Sequence, residues 1–165
     1  SINMFVETAK KLKIKDIQIV LVGKGQERAK YEQTAKDEIL SNISFLDPVD
    51  KKLVPKLLDY ADVLLLIQGN VQWGSSNKLY DYLAARKPII TSLYVKHNDV
   101  VEDIGCGYSS GYDNSDDMVE NIEKVYSLSD EEKEQMGEKA YTHVSENHDI
   151  KLMAKKLEKL CKELI

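Results

Sequence analysis

At 165 residues, with 42% hydrophobic and 31% charged side chains, the chain has the composition of one globular domain with a real core, not of a disordered segment. A formal net charge of −5 without a basic cluster argues against nucleic acid as a partner. No apolar run is long enough to span a membrane and no leader pattern opens the sequence, so it reads as a cytoplasmic domain spanning 1–165.

In chain order, helical spacing of Met4 or Phe5, Ala9 and Leu12 predicts a helix from Asn3 to about Lys13. Ile17–Val22 is an apolar strand that ends in the tight turn Gly23-Lys24-Gly25. A polar helix follows from about Glu27 to Ile39, then a strand at Asn42–Leu46 with the exit loop Asp47-Pro48-Val49. Asp-Pro is an ordinary turn initiator, so this loop need carry nothing more. Lys51–Tyr60 reads as a helix with Leu53, Leu57 and Leu58 on its buried stripe, and Pro55 is tolerable there only in the first turn.

Ala61-Asp62-Val63-Leu64-Leu65-Leu66-Ile67 is an apolar run suited to a parallel strand covered on both faces. A Gly-rich polar loop follows, and Ser75 or Ser76 can cap a helix carrying Leu79, Tyr82 and Leu83 on one side. Pro88 stops it and opens the strand Ile89–Ser92. Residues 93–99 form a polar loop, 100–104 a helical turn and Gly105–Ser110 a strand. Asp116–Leu128 is an amphipathic helix, and Ser129-x-x-Glu132 is a capping box opening another. Ile150, Met153, Leu157, Leu160 and Leu164 form the apolar stripe of a last helix. Alternating strands and helices without an internal repeat predict an α/β fold, a parallel sheet flanked by helices.

The chemistry concentrates between the run ending at Ile67 and Pro88. A helix N-terminus offers unpaired N–H groups and a partial positive charge, which suits a phosphate. Gly74, Ser75 and Ser76 allow close approach to the backbone, and Lys78 adds a cation. Asp81 lies one turn beyond Asn77 and Lys78, where its carboxylate can accept hydrogen bonds from a sugar diol. The same residues equally describe a solvated helix face. Gly23-Lys24-Gly25 is by itself a weak phosphate-loop signal. Cys106, Cys161, His97, His143 and His148 have neither disulfide-framework nor metal-ligand spacing, and no Ser-His-Asp set or catalytic carboxylate pair stands out.

Ser76-Asn77-Lys78-Leu79-Tyr80-Asp81-Tyr82-Leu83-Ala84-Ala85-Arg86-Lys87-Pro88 resembles the donor-binding motif of retaining glycosyltransferases of the GT-B architecture. It is closest to family 4 enzymes of bacterial surface-polysaccharide synthesis, whose motif runs Pro-Ser-Lys-x-x-Glu-Tyr-x-Ala-x-Gly-Lys-Pro. The resemblance covers almost the whole chain, but only this motif is specific. It implies a Rossmann-like domain, the C-terminal half of a GT-B fold, that binds a nucleoside diphosphate sugar. Asp81 takes the position of the family's second motif glutamate, which holds the ribose, and Trp73 stands where the first contacts the sugar or its phosphate. That departure leaves the donor sugar open. By the same resemblance, the Gly23 loop lies beside the phosphates and the Asp47 loop borders the base.

The implied candidate site is therefore Gly23, Lys24, Gly25, Asp47, Trp73, Gly74, Ser75, Ser76, Asn77, Lys78 and Asp81, with no metal and no cofactor beyond the substrate. The implied partner is an N-terminal acceptor-binding domain, and the isolated chain is expected to be inactive. The resemblance also implies that the domain's first strand is missing here. Ile17–Val22 and Val63–Ile67 are then expected to close directly on each other in parallel, the alternative being a segment of a second molecule between them. A nucleotide-sugar 2-epimerase shares the architecture but needs acid/base groups not evident here. A receiver-like binding module would need a phosphoacceptor, and Asp47, the only candidate, lacks an acidic pair before it.

Overall fold

The computed structural model describes residues 2–12, 14, 16–67, 77–93 and 99–163. Helix α1 (Ile2–Lys11) precedes β1 (Ile19–Val22), α2 (Arg28–Asp37) and β2 (Ile43–Leu46). A 3-10 turn at Lys51–Leu53 leads into α3 (Val54–Asp59), followed by β3 (Leu64–Ile67), α4 (Asn77–Ala84) and β4 (Ile89–Leu93). The chain ends in α5 (Val100–Asp103), β5 (Gly107–Gly111), α6 (Ser115–Ser127), α7 (Asp130–Asn147) and α8 (Ile150–Glu163). The alternating α/β order is the one expected, with most boundaries shifted by one or two residues.

All described strand pairs are parallel, in two sheets. β1 pairs with β2, Ile19 opposite Ile43, and β3–β4–β5 form a second sheet with Leu64 opposite Ile89 and Ile89 opposite Gly107. The expected direct closure of β1 on β3 is not found, because among the described residues no backbone pairing joins the two sheets. What joins them is side-chain burial. Ile19, Ile43 and Ile90 enter one core with Met4, Val6 and Ala9 of α1 and with Met118, Ile122 and Val125 of α6. Leu21, Val63, Leu65 and Ile67 pack against that core. Apolar burial is non-directional, so it can hold two sheets side by side without a shared register.

A second core covers the other face of the three-stranded sheet. It unites Leu64, Leu66 and Ile89 with Leu79 and Leu83 of α4, Val101 of α5, Cys106 and Ala140 of α7. Gly137 lets α7 approach closely, because a Cβ there would collide with the Arg86 carbonyl. Arg86 itself has φ +56°, pairs with Glu138, and its guanidinium lies 3.7 Å from the Tyr141 ring centroid. The C-terminal end of α4 is thus clamped onto α7.

One packing expectation needs correction, and one apolar face is left without cover. Leu53 is exposed, because the 3-10 turn shifts the helical phase ahead of Pro55 and leaves Val54, Leu57 and Leu58 half-buried. The stripe of α8 is also uncovered, with Ile150, Met153, Leu157 and Leu160 all exposed. Periodicity marks which side chains share a face, not whether anything covers that face.

Candidate functional site

The site is built at strand exits and one helix start. β1 ends in Gly23, whose φ of +143° lies in a region that L side chains rarely adopt. That backbone turns the chain toward Lys24 and Gly25, both exposed, and the Gly23 N–H donates to the Leu46 carbonyl at 3.2 Å. The exits of β1 and β2 are therefore joined by main chain.

Arg28, absent from the sequence-derived set, joins them again through its side chain. One guanidinium nitrogen donates to the Gly23 carbonyl and to Asp47 Oδ1, each at 2.9 Å, and the other to the Phe45 carbonyl at 3.3 Å. Glu32 stands 3.7 Å from Arg28 Nε on the next turn of α2. The structure thus brings Gly23, Asp47 and Arg28 together. A Gly-x-Gly followed three residues later by an arginine was the only available signal, and it says nothing of a partner at residue 47.

Asn77, Lys78 and Asp81 occupy α4, exposed to solvent, while Leu79 and Leu83 on its other side are buried. Packing of those leucines fixes the helix, and the clamp at Arg86 fixes its far end. Trp73, Gly74, Ser75 and Ser76 lie outside the described residues. Tyr82, half-buried beside Asp81, has its phenol pKa raised first by burial and then by the Asp81 charge, so it stays neutral next to that carboxylate. Tyr80 packs against His148 with the rings tilted by 55° and their centroids 4.7 Å apart, which adds to the hold of α7 on α4.

At β4 and β5 the structure places polar groups that hydropathy could not find. Thr91 and Ser109 hydroxyls lie 2.7 Å apart, and Asn121 donates to Ser110 Oγ at 3.1 Å. Asp99 caps α5 by accepting the Glu102 N–H at 3.2 Å, while its Oδ2 is buried without a hydrogen-bond partner among the described residues. Burial pushes the Cys106 thiol up to about 12, so it is no thiolate nucleophile near neutrality. Among the described residues no cluster of three His, Cys, Asp or Glu side chains could hold a metal, and no helix is long and apolar enough to cross a membrane.

Residues 1–143 match the family model described as "Glycosyl transferases group 1". The chain belongs to that family. No curated protein is significantly similar to it in sequence. Solved structures similar to this family member include Anabaena Alr3699/HepE in complex with UDP-glucose, at TM-score 0.79 and 13% identity over 98% of this chain and 44% of that one. The C-terminal domain of the Francisella tularensis group 1 glycosyl transferase LpcC aligns at TM-score 0.72 and 16% identity, over 90% of this chain and 80% of that one. WaaG, a glycosyltransferase involved in lipopolysaccharide biosynthesis, aligns at 0.70 and 18%, over 97% and 43%. The fold is that of a Rossmann-like GT-B C-terminal domain, as its sequence motif implies. The chain spans less than half the length of HepE and of WaaG.

Proposed function

We propose that this group 1 domain binds the donor of a glycosyltransferase, a nucleoside diphosphate sugar whose sugar passes to an acceptor hydroxyl. A role in bacterial surface-polysaccharide synthesis, a family 4 affiliation and retention at the anomeric carbon belong to the same proposal. The observation that carries it is the start of α4, where Asn77, Lys78 and Asp81 stand exposed on a helix whose opposite side is buried in the core. The helix dipole and Lys78 suit a diphosphate, and Asp81 can accept hydrogen bonds from a ribose diol.

As the glycosidic bond lengthens, negative charge builds on the departing diphosphate. Donors already oriented toward it lower the barrier without reorganising at the moment of reaction. The chain supplies these as backbone N–H groups and Lys78, with Gly74, Ser75 and Ser76 allowing close approach. Trp73 takes the sequence position of the family's sugar-contacting glutamate, the Gly23-Lys24-Gly25 turn serves the phosphates, and no metal is required by this scheme. Acceptor binding and water exclusion fall to a partner domain, so the 165-residue chain binds a donor but does not turn it over.

Replacing Asp81 tests the reading. Asp81→Ala should weaken nucleoside diphosphate binding by about 1.5–3 kcal/mol, the range for a hydrogen bond to a charged group. The melting temperature should barely change, because the side chain is exposed. Equal affinity in the two proteins would remove Asp81 from the site, and glycosyl transfer by the chain alone would overturn the division of labour.

A further inference from the structure

We propose that the C-terminal end of α7 carries a site for a divalent transition metal, zinc foremost, formed by His143 and His148 and kept in shape by Tyr80 of α4. The inference stands apart from donor binding and uses none of its residues. Five residues apart on an ideal helix, the two side chains would point about 140° away from each other. His148, however, is the C-cap of α7, and its φ of −130° has left the helical range. Its ring centroid comes to lie 5.5 Å from that of His143, with the planes tilted by 47°. His148 is exposed and His143 half-buried, so the pair is open to an incoming ion.

The backbone under both imidazoles is tied down. The His148 N–H donates to the Val144 carbonyl at 2.8 Å, and Asn147 Nδ2 donates to the His143 carbonyl at 3.0 Å. Tyr80 packs against the His148 ring at 4.7 Å, which limits where that ring can go. Neutral imidazole suits zinc, nickel and copper, whereas magnesium and calcium take oxygen ligands. Two imidazoles bound to one tetrahedral ion through nitrogens at about 2.0 Å have ring centres roughly 5 Å apart. The observed spacing meets that requirement, and what remains is rotation of each ring about Cβ–Cγ, a soft torsion. A helix C-terminus carries partial negative charge, which favours a cation there. Glu138, Lys139 and Glu146 line the shallow depression beside His143, and Glu138 is already engaged by Arg86. Water completes the coordination, so the ion exchanges more readily than in a closed four-ligand site. With both ligands on α7 and their aromatic support on α4, the metal stiffens the contact between these helices.

The test is a titration of the 165-residue chain with zinc chloride, followed by calorimetry and by the imidazole NMR signals, with magnesium chloride as control. All proteins carry Cys161→Ser, which removes an exposed thiol that could itself take zinc. On that background, the parent, His143→Ala, His148→Ala and Tyr80→Leu are compared. The parent should take up a single zinc, the signals of His143 and His148 moving with one midpoint, and its melting temperature should rise with zinc. Either histidine variant should bind zinc about tenfold more weakly or worse, and Tyr80→Leu should lose less. Magnesium should change nothing. Undiminished binding in both histidine variants, movement of only one of the two signals, or an equal response to magnesium would each overturn the site. A doubling of mass in light scattering as zinc is added would overturn it too, because the ion would then bridge two molecules. Full affinity in Tyr80→Leu would overturn the part given to the tyrosine. Should His143→Ala fail to fold, undiminished zinc binding by His148→Ala is enough to overturn the proposal.

Discussion

Strands β1 and β3 are similar apolar runs, yet the sheets they belong to sit in different surroundings. β3–β4–β5 has a core on each face, and Ile89 and Ile90 of its central strand are both fully buried. β1–β2 is covered on one face, where Ile19 and Ile43 are buried, while Val20 is 49% exposed on the other. An unbroken aliphatic strand usually signals cover on both sides, and here that holds for only one of the sheets. The tightly packed sheet carries the helix proposed to hold the diphosphate. The open sheet carries the exits that Arg28 ties together, and a polar tie is what remains useful where apolar cover is thin.

The contrast breaks most clearly at Leu83, fully buried between α4 and the three-stranded sheet. Leu83→Ala should cost about 2–5 kcal/mol by chemical denaturation, whereas Val20→Thr on the open face should stay within about 0.5 kcal/mol. Comparable losses would mean that the open face is not open in solution. Gly137→Ala sharpens the same contrast by attacking the brace of α7 on α4. Its Cβ meets the Arg86 carbonyl, and a loss of about 1–3 kcal/mol is expected in thermal melts.

The smallest effect is expected at the rim. Glu132 accepts the Ser129 N–H and hydroxyl, each at 2.8 Å, and the backbone bond first, then the hydroxyl, holds its pKa below the ordinary carboxylate value. A depressed carboxylate stabilises the fold above its unfolded pKa, and that contribution disappears as pH falls through the folded value. Glu132→Gln should therefore melt slightly below wild type near neutrality, and the gap should close below about pH 4. A gap that persists in acid would show that the charge is not what the capping box uses.

What could be read from the sequence was whatever is local. Ser129 and Glu132 are three residues apart, and the box forms as read. Leu79 and Leu83 point inward because helical phase over a single element is a local property. The strands were legible, but not their partners, since periodicity says which face is apolar and nothing about which edge is paired. Arg28 escapes a sequence reading because the carboxylate it hydrogen-bonds, Asp47, lies 19 residues away and its other hydrogen-bond acceptors are carbonyls, which every residue has. The α8 stripe was read correctly as one face, yet its exposure depends on what lies beside it. Of the candidate site, Gly23 and Asp47 proved to be neighbours joined through Arg28, and Asn77, Lys78 and Asp81 share an exposed helix face.

Strand β4 has one more consequence, for the way the domain comes apart. Ile90 belongs to the core beneath α1 and α6, and its neighbour Ile89 to the core beneath α4 and α7. A party wall of this kind cannot be removed from one room alone. A fluctuation that melts either core strips half the side chains of β4 of their contacts, so the two halves gain little by opening separately. Amide protons along β4 should then exchange only through global unfolding, while those of β1 and β2 exchange earlier through smaller openings.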